Sequence, residues 1–227
     1  MTKGKELTQT SKQEVVAASR AFVQNIIHET KAKFMEVNEG MDLDFVFLGE
    51  WLKKTKLGEF CLSADETQVF GKVLDVVICS GEKRYIMWGK DSSPEEGQLI
   101  IAANNELDAK REFSAFIEVV EGASERYSAE DLKLTYLAYV ITTDQIGDES
   151  PALYILPFPQ TDTMEYAGYS KRLFTGSYKN IGIPKYTGVN QVITRISTVE
   201  KKSRNNKSYV GFEFEAVALF DPKEFIK

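Results

Sequence analysis

Hydrophobic positions along the chain follow two periods. From Ser11 to Met35 the apolar residues Val15, Phe22, Val23, Ile26, Ile27 and Phe34 fall near one side of a helix, with Arg20, Glu29, Lys31 and Lys33 on the rest. Ser11-x-x-Glu14 supplies a capping box, and Asn38-Glu39-Gly40 ends the run, so an amphipathic helix is expected over 11–39 behind a polar, frayed 1–10. After Met41 the period shortens to two. DLDFVFL (42–48), QVFGKVLDVVIC (68–79), EKRYIMW (82–88, after a Ser80-Gly81 turn), QLIIA (98–102), EFSAFIEVV (112–120) and LKLTYLAYVIT (132–142) each read as strands. PALYILPFP (151–159) reads as an extended strand stopped by its prolines.

One further helix interrupts this β texture. Thr161 or Asp162 can cap it, and it runs to about Lys179 with Met164, Tyr166, Tyr169 and Leu173 inward and Lys171, Arg172 and Lys179 outward. The loop GIPKYTG (182–188) leads on to VNQVITRISTV (189–199). Val210, Phe212, Phe214, Ala216, Ala218 and Phe220 then alternate with Glu213 and Glu215 in a second strand. KKSRNNK (201–207) joins these two strands as a hairpin tip whose Asn205-Asn206 pair tolerates left-handed backbone. The fold class that follows is mainly β within an α+β chain, a barrel or sandwich over 40–227 with one inserted helix.

Charge changes this picture. Tyr169–Tyr209 holds nine basic residues against one acid, about +8, whereas the whole chain sums to −6, so the remainder carries about −14. Tyr166, Tyr169, Phe174, Tyr178, Tyr186 and Tyr209 are threaded through the same charge. Cations suit phosphates and flat rings suit unstacked bases, a pairing that a single strand needs and a duplex does not. Trp51, Lys53, Lys54 and Lys56 form a second such cluster, and Arg84, Tyr85 and Trp88 a third. Both tryptophans also fit core positions. The acidic stretches 95–97 and 121–131 read as solvated loops, or as segments that occupy the basic groove when it is empty. Lys201, Lys202, Arg204 and Lys207 at the tip also fit a plain solvated hairpin.

Other chemistry finds little support. Cys61 and Cys79 lie in apolar strands and are expected to be buried free thiols in a reducing cytoplasm. Two cysteines and one histidine, His28 on the first helix, make no convincing zinc site, so no metal or cofactor is expected. There is no Walker loop, Gly-x-Ser-x-Gly or His/Cys cluster. A nuclease would need converging carboxylates from Asp42, Asp44, Asp75, Glu213 or Glu215. The longest apolar runs are far short of the ~18 residues that cross a bilayer, so no membrane association is expected.

YILPFP, a Tyr- and Lys-bearing helix, a short loop, VITRISTVEKK and a polar tip before YVGFEFEAV follow one another in an order that resembles bacteriophage single-stranded DNA-binding proteins, over about residues 132–220. The resemblance implies an oligonucleotide-binding (OB-like) barrel, no catalysis, and a role on DNA in phage replication, recombination or repair in the host cytoplasm. By position, Arg195 and the 201–207 tip match the strand-and-loop region that such proteins place on DNA. The chain ends Phe220-Asp-Pro-Lys-Glu-Phe225-Ile-Lys227, which departs from the acidic tail with a terminal aromatic that many of them carry. The expected interface runs phosphates along Lys53, Lys54, Lys171, Arg172, Lys179, Lys185, Arg195 and the tip, with bases on Trp51, Tyr178, Tyr186 and Tyr209. The N-terminal helix is left as a self-association element, a partner site or a cover for the barrel. The alternatives are a phage host-takeover or structural protein that binds a protein partner, and a metal-dependent nuclease.

Overall fold

The computed structural model describes residues 9–39, 44, 46, 49–148, 151–203 and 206–224. Within them the chain is a mixed α/β structure built on one curled nine-stranded sheet, a half-barrel with four helices around it. The strands are β1 (Glu50–Lys54), β2 (Phe60–Leu62), β3 (Val69–Gly71), β4 (Val73–Trp88), β5 (Leu99–Ala103), β6 (Lys133–Thr142), β7 (Tyr154–Phe158), β8 (Val192–Lys202) and β9 (Ser208–Leu219). Their order is β3-β2-β1-β7-β6-β4-β8-β9, with β5 paired to β4, and only β1–β7 is a parallel pair among the named strands. The helices are α1 (Gln9–Val37), α2 (Glu106–Val119), α3 (Ala123–Arg126) and α4 (Gln160–Thr175).

Several expectations need correction. Ser11 does not cap α1, which spans Gln9–Val37, and Pro159 rather than Thr161 or Asp162 stands at the N-cap of α4. Ser80-Gly81 is not a turn: β4 runs through it, with the register shift of a bulge between Ile78 and Ser80 that bends one long strand so that it serves both halves of the sheet. EFSAFIEVV is helical, because Asn105 caps α2 by accepting from the Asp108 N–H, and Phe113, Phe116 and Ile117 then recur at helical spacing against β5. Met164 is exposed rather than inward. The inward face of α4 is Asp162, Tyr166, Tyr169 and Leu173, and Gly176 ends the helix in the left-handed region at φ 81°. The strand expected at 42–48 lies outside the described residues except for Asp44 and Val46, as does the frayed segment expected at 1–10 except for its last two residues.

The sheet buries both faces. Inside the curl, Phe60 stacks on Phe212 at 5.5 Å, and Phe158, Tyr166, Tyr169 and Phe214 complete an aromatic core roofed by α4. On the outer face α1 lays Val23 and Ile26 over Val77, Tyr139 and Ile141, while Phe22 meets Phe220 edge-on at 5.5 Å. Asn38 closes α1, its backbone and side-chain N–H groups both donating to the Phe34 carbonyl.

The last strand, β9, has no strand beyond it among the described residues. Its outward backbone groups are met by side chains instead. Lys54 donates to the Val210 carbonyl at 2.9 Å, the Asp162 carboxylate accepts the Phe212 N–H at 2.9 Å, Lys201 donates to the Phe212 carbonyl at 2.8 Å, and Arg172 donates to the Phe214 carbonyl at 3.3 Å. Asp162 is buried and pairs with Lys54 at 3.2 Å, and that ammonium also lies 4.0 Å from the Phe212 ring centre. Thus β1 and α4 complete the curl without a strand-to-strand ladder.

Removing Asp162 strands both an ammonium and a backbone N–H. Asp162→Ala is expected to lower the unfolding free energy by about 3–5 kcal/mol in urea denaturation. Lys53→Ala, which breaks the exposed pair with Glu66, should cost less than about 1 kcal/mol. Equal losses would contradict this account of the closure.

Cys61 and Cys79 are free and buried, and burial raises the pKa of both, that of Cys79 to about 12. The folded state therefore holds the Cys79 proton that the unfolded chain releases near 9.0, so this contribution to stability is whole below that pH and is lost as pH rises towards 12. An aromatic disulfide reagent at pH 8 should titrate both thiols only after denaturant is added. Fast reaction in the native state would show that the β2 and β4 cores open locally.

Candidate functional site

The end of α4 and the loop after it are held by backbone ties that leave two rings outside. The Tyr186 N–H donates to the Phe174 carbonyl at 3.0 Å, one of the carbonyls that the end of α4 leaves without a helical partner. This draws the two rings into edge-to-face contact at 5.1 Å, with Phe174 58% and Tyr186 65% exposed. Tyr186 sits at φ 67°, a left-handed conformation uncommon for a bulky side chain, and the ring is held outward at that cost. Buried Ile183 anchors the loop from below, its N–H donating to the Tyr178 carbonyl. Thr187 tightens the turn by donating to the Pro184 carbonyl at 2.8 Å.

Beside these rings is an open cleft of about 640 Å³. One wall is the loop, with Lys179, Lys185 and Tyr186, and the other is the first turns of α1, with Lys12, Gln13 and Val16. Among the described residues three lysines line it and no acid does, in a chain whose net charge is −6. Lys185 lies 4.9 Å from the centre of the Tyr186 ring, and no ion pair involves Lys12, Lys179 or Lys185 among the described residues. A concavity of this kind offers cations for an anion and a ring face for a flat apolar group.

The structure brings Lys179, Lys185 and Tyr186 together as the sequence suggested, and it disperses most of the other candidates. Trp51 is buried, its indole N–H donating to the Val46 carbonyl and its ring edge-on to Trp88 at 5.0 Å, so it has no free face for stacking. Tyr178 is half-buried against Tyr169 and accepts from Arg172. Arg195 is held bidentately by Asp75 at 2.7 and 2.8 Å, and its groove also contains Glu165, Glu213 and Glu215. Lys54, Arg172 and Lys201 serve the β9 edge, and Lys53 pairs with Glu66. In sequence, a lysine bound to a backbone carbonyl looks like one that awaits a phosphate.

Lys171 stands exposed on α4, and Lys202 and Lys207 stand exposed at the hairpin tip, with Tyr209 half-buried near them. Arg204 lies outside the described residues. The acidic stretches expected as loops or groove covers pair elsewhere: Glu95 holds Arg126 at 2.9 Å and accepts from Tyr127, and Asp131 holds Lys90 at 2.7 Å. Asp44 pairs with Arg84 and Asp75 with Arg195; among the described residues no three His, Cys, Asp or Glu are placed so that they could hold a metal ion together. Lys12 escaped the sequence reading, since nothing local distinguishes it from any solvated lysine of a helix. Phe174 was legible only as one ring among several in the basic stretch.

Comparison of the chain with family models, curated proteins and solved structures finds no match. No helix among the described residues is long and apolar enough to cross a membrane.

Proposed function

We propose that the protein binds single-stranded DNA with little sequence preference, as a non-catalytic OB-like barrel serving phage DNA replication, recombination or repair in the host cytoplasm. One observation carries this reading: an exposed ring pair, Phe174 and Tyr186, stands beside a cleft that, among the described residues, is lined by three lysines without ion pairs and by no acid. Phosphates would be held by Lys12, Lys179 and Lys185, and an unstacked base would lie on Tyr186 or Phe174. A duplex hides its base faces and would gain only from the cations. Acidity over the rest of the molecule repels DNA that is not seated in the cleft.

Fluorescence anisotropy with labelled single-stranded and duplex oligonucleotides, at two salt concentrations and with a chelator present, tests this directly. Single strands should bind more tightly than duplex, uncut and indifferent to chelation. Replacing Lys12, Lys179 and Lys185 together by Ala should reduce the steepness of log K against log salt by about 2, at roughly 0.7 per phosphate. Tyr186→Ala should weaken binding by about 1–3 kcal/mol for every sequence, whereas Arg195→Ala should change little. Absence of binding at low salt would remove the nucleic-acid reading in favour of a protein partner. Cleavage that requires a divalent metal would favour a nuclease.

A further inference from the structure

A second groove lies at the other end of β8. Its floor is fixed by cross-chain bonds: the Thr198 hydroxyl donates to the Gly58 carbonyl, and the Thr198 N–H donates to the Lys72 carbonyl at 3.0 Å. The β1–β2 turn thereby packs against the β8–β9 hairpin and leaves an open concavity of about 380 Å³. Lys56 and Lys72 line it, exposed and without an ion pair among the described residues. Leu57, 74% exposed, and the half-buried Tyr209 supply its apolar surface, and Glu200 is the one acid in its lining among the described residues. The chemistry repeats that of the first cleft, with cations beside apolar surface.

Along β8, between the residues that line the two grooves, Arg195 and Ser197 border a groove of opposite sign. Glu165, Glu213 and Glu215 share a groove with Arg172 and Arg195, whose guanidiniums already bind the Phe214 carbonyl and Asp75. A phosphate gains nothing there. We infer that one single strand occupies both grooves at once and leaves the surface between them. This deepens the function proposed above and rests on it. The occupant is a continuation of the same strand because both grooves join lysines to apolar surface and the intervening charge disfavours a polyanion laid flat. The first cleft ends at Thr187, shortly before β8 begins at Val192. Thr198, in the second groove, is about 20 Å along that strand, and the tip at Lys202 is about 33 Å along it, at ~3.3 Å per residue. A stacked strand covers that separation with about six to ten nucleotides, at ~3.4 Å each. Joining two weak sites through one ligand raises affinity steeply once the ligand spans them.

The test is a length series of labelled thymidine oligomers, of about 4, 8, 12 and 20 nucleotides, read by anisotropy at low salt. For the unaltered protein, affinity should rise by at least about tenfold between the shortest and the 12-mer and flatten beyond it. Lys56→Glu with Lys72→Glu should abolish that rise and leave the affinity for the shortest oligomer unchanged, with thermal unfolding as the check on folding. A rise that survives the charge reversal would overturn the second groove, as would an equal loss at every length. Lys202→Glu with Lys207→Glu offers an independent reduction of the same rise from outside the groove; no reduction in either double variant would exclude this end of β8. Failure of every oligomer to bind the unaltered protein would instead overturn the nucleic-acid reading itself, and the two-groove model with it.

Discussion

The interaction on which the rest of the structure depends is the capture of the β9 edge by side chains. A curled sheet must either close its ladder or leave a row of backbone donors and acceptors on its last strand. Here Asp162 and Arg172 from α4, Lys54 from β1 and Lys201 from β8 take up those groups. The arrangement fixes α4 along the edge, and the end of α4 then fixes where Phe174 and Tyr186 meet. Asp162 has the central part, since it is buried and serves a backbone N–H and an ammonium together. A side chain without an acceptor there would leave the Phe212 N–H unmet and take from the Lys54 ammonium its counter-charge, with the Val210 carbonyl its remaining acceptor.

That same capture divides the cations into two populations. Lys54, Arg172, Arg195 and Lys201 are bound to carbonyls or carboxylates of the fold, whereas Lys12, Lys56, Lys72, Lys179, Lys185, Lys202 and Lys207 stand at the surface. Clustering along the sequence cannot separate them. Lys201 and Lys202 are neighbours in the chain, yet one side chain folds back to Phe212 and Glu165 while the other points to solvent. The alternation of a strand sends adjacent residues to opposite faces, so a basic run in a strand divides by parity.

Much of the fold was legible where one period dominated. The β8–β9 hairpin, the helix expected over 11–39 and found at Gln9–Val37, and the strand before Pro159 left local patterns, although Pro157 lies inside β7, paired with Leu137, rather than ending it. The reading failed where local signals conflicted with tertiary ones. Ser80-Gly81 has turn composition, but β6 pairs across it and carries the chain straight through. Residues 112–120 are rich in strand formers, and the decisive signal was the Asn105 cap seven residues earlier. Of the candidate site, Lys179 and the Lys185 and Tyr186 of the 182–188 loop were readable, and Lys56 was readable as part of the cluster that begins at Trp51. Lys12 and Lys72 were not, because each joins its groove through a contact distant in sequence.

The first cleft is built from two stretches that are far apart in the polypeptide, the opening turns of α1 and the loop at 179–187. During synthesis one wall leaves the ribosome early and the other only after most of the sheet has followed it. The cleft is therefore a contact of high sequence separation, whose Lys12 wall is carried by the helix that packs on the outer face of the sheet. A nascent chain that stops short of residue 179 carries the Lys12 wall with nothing opposite it.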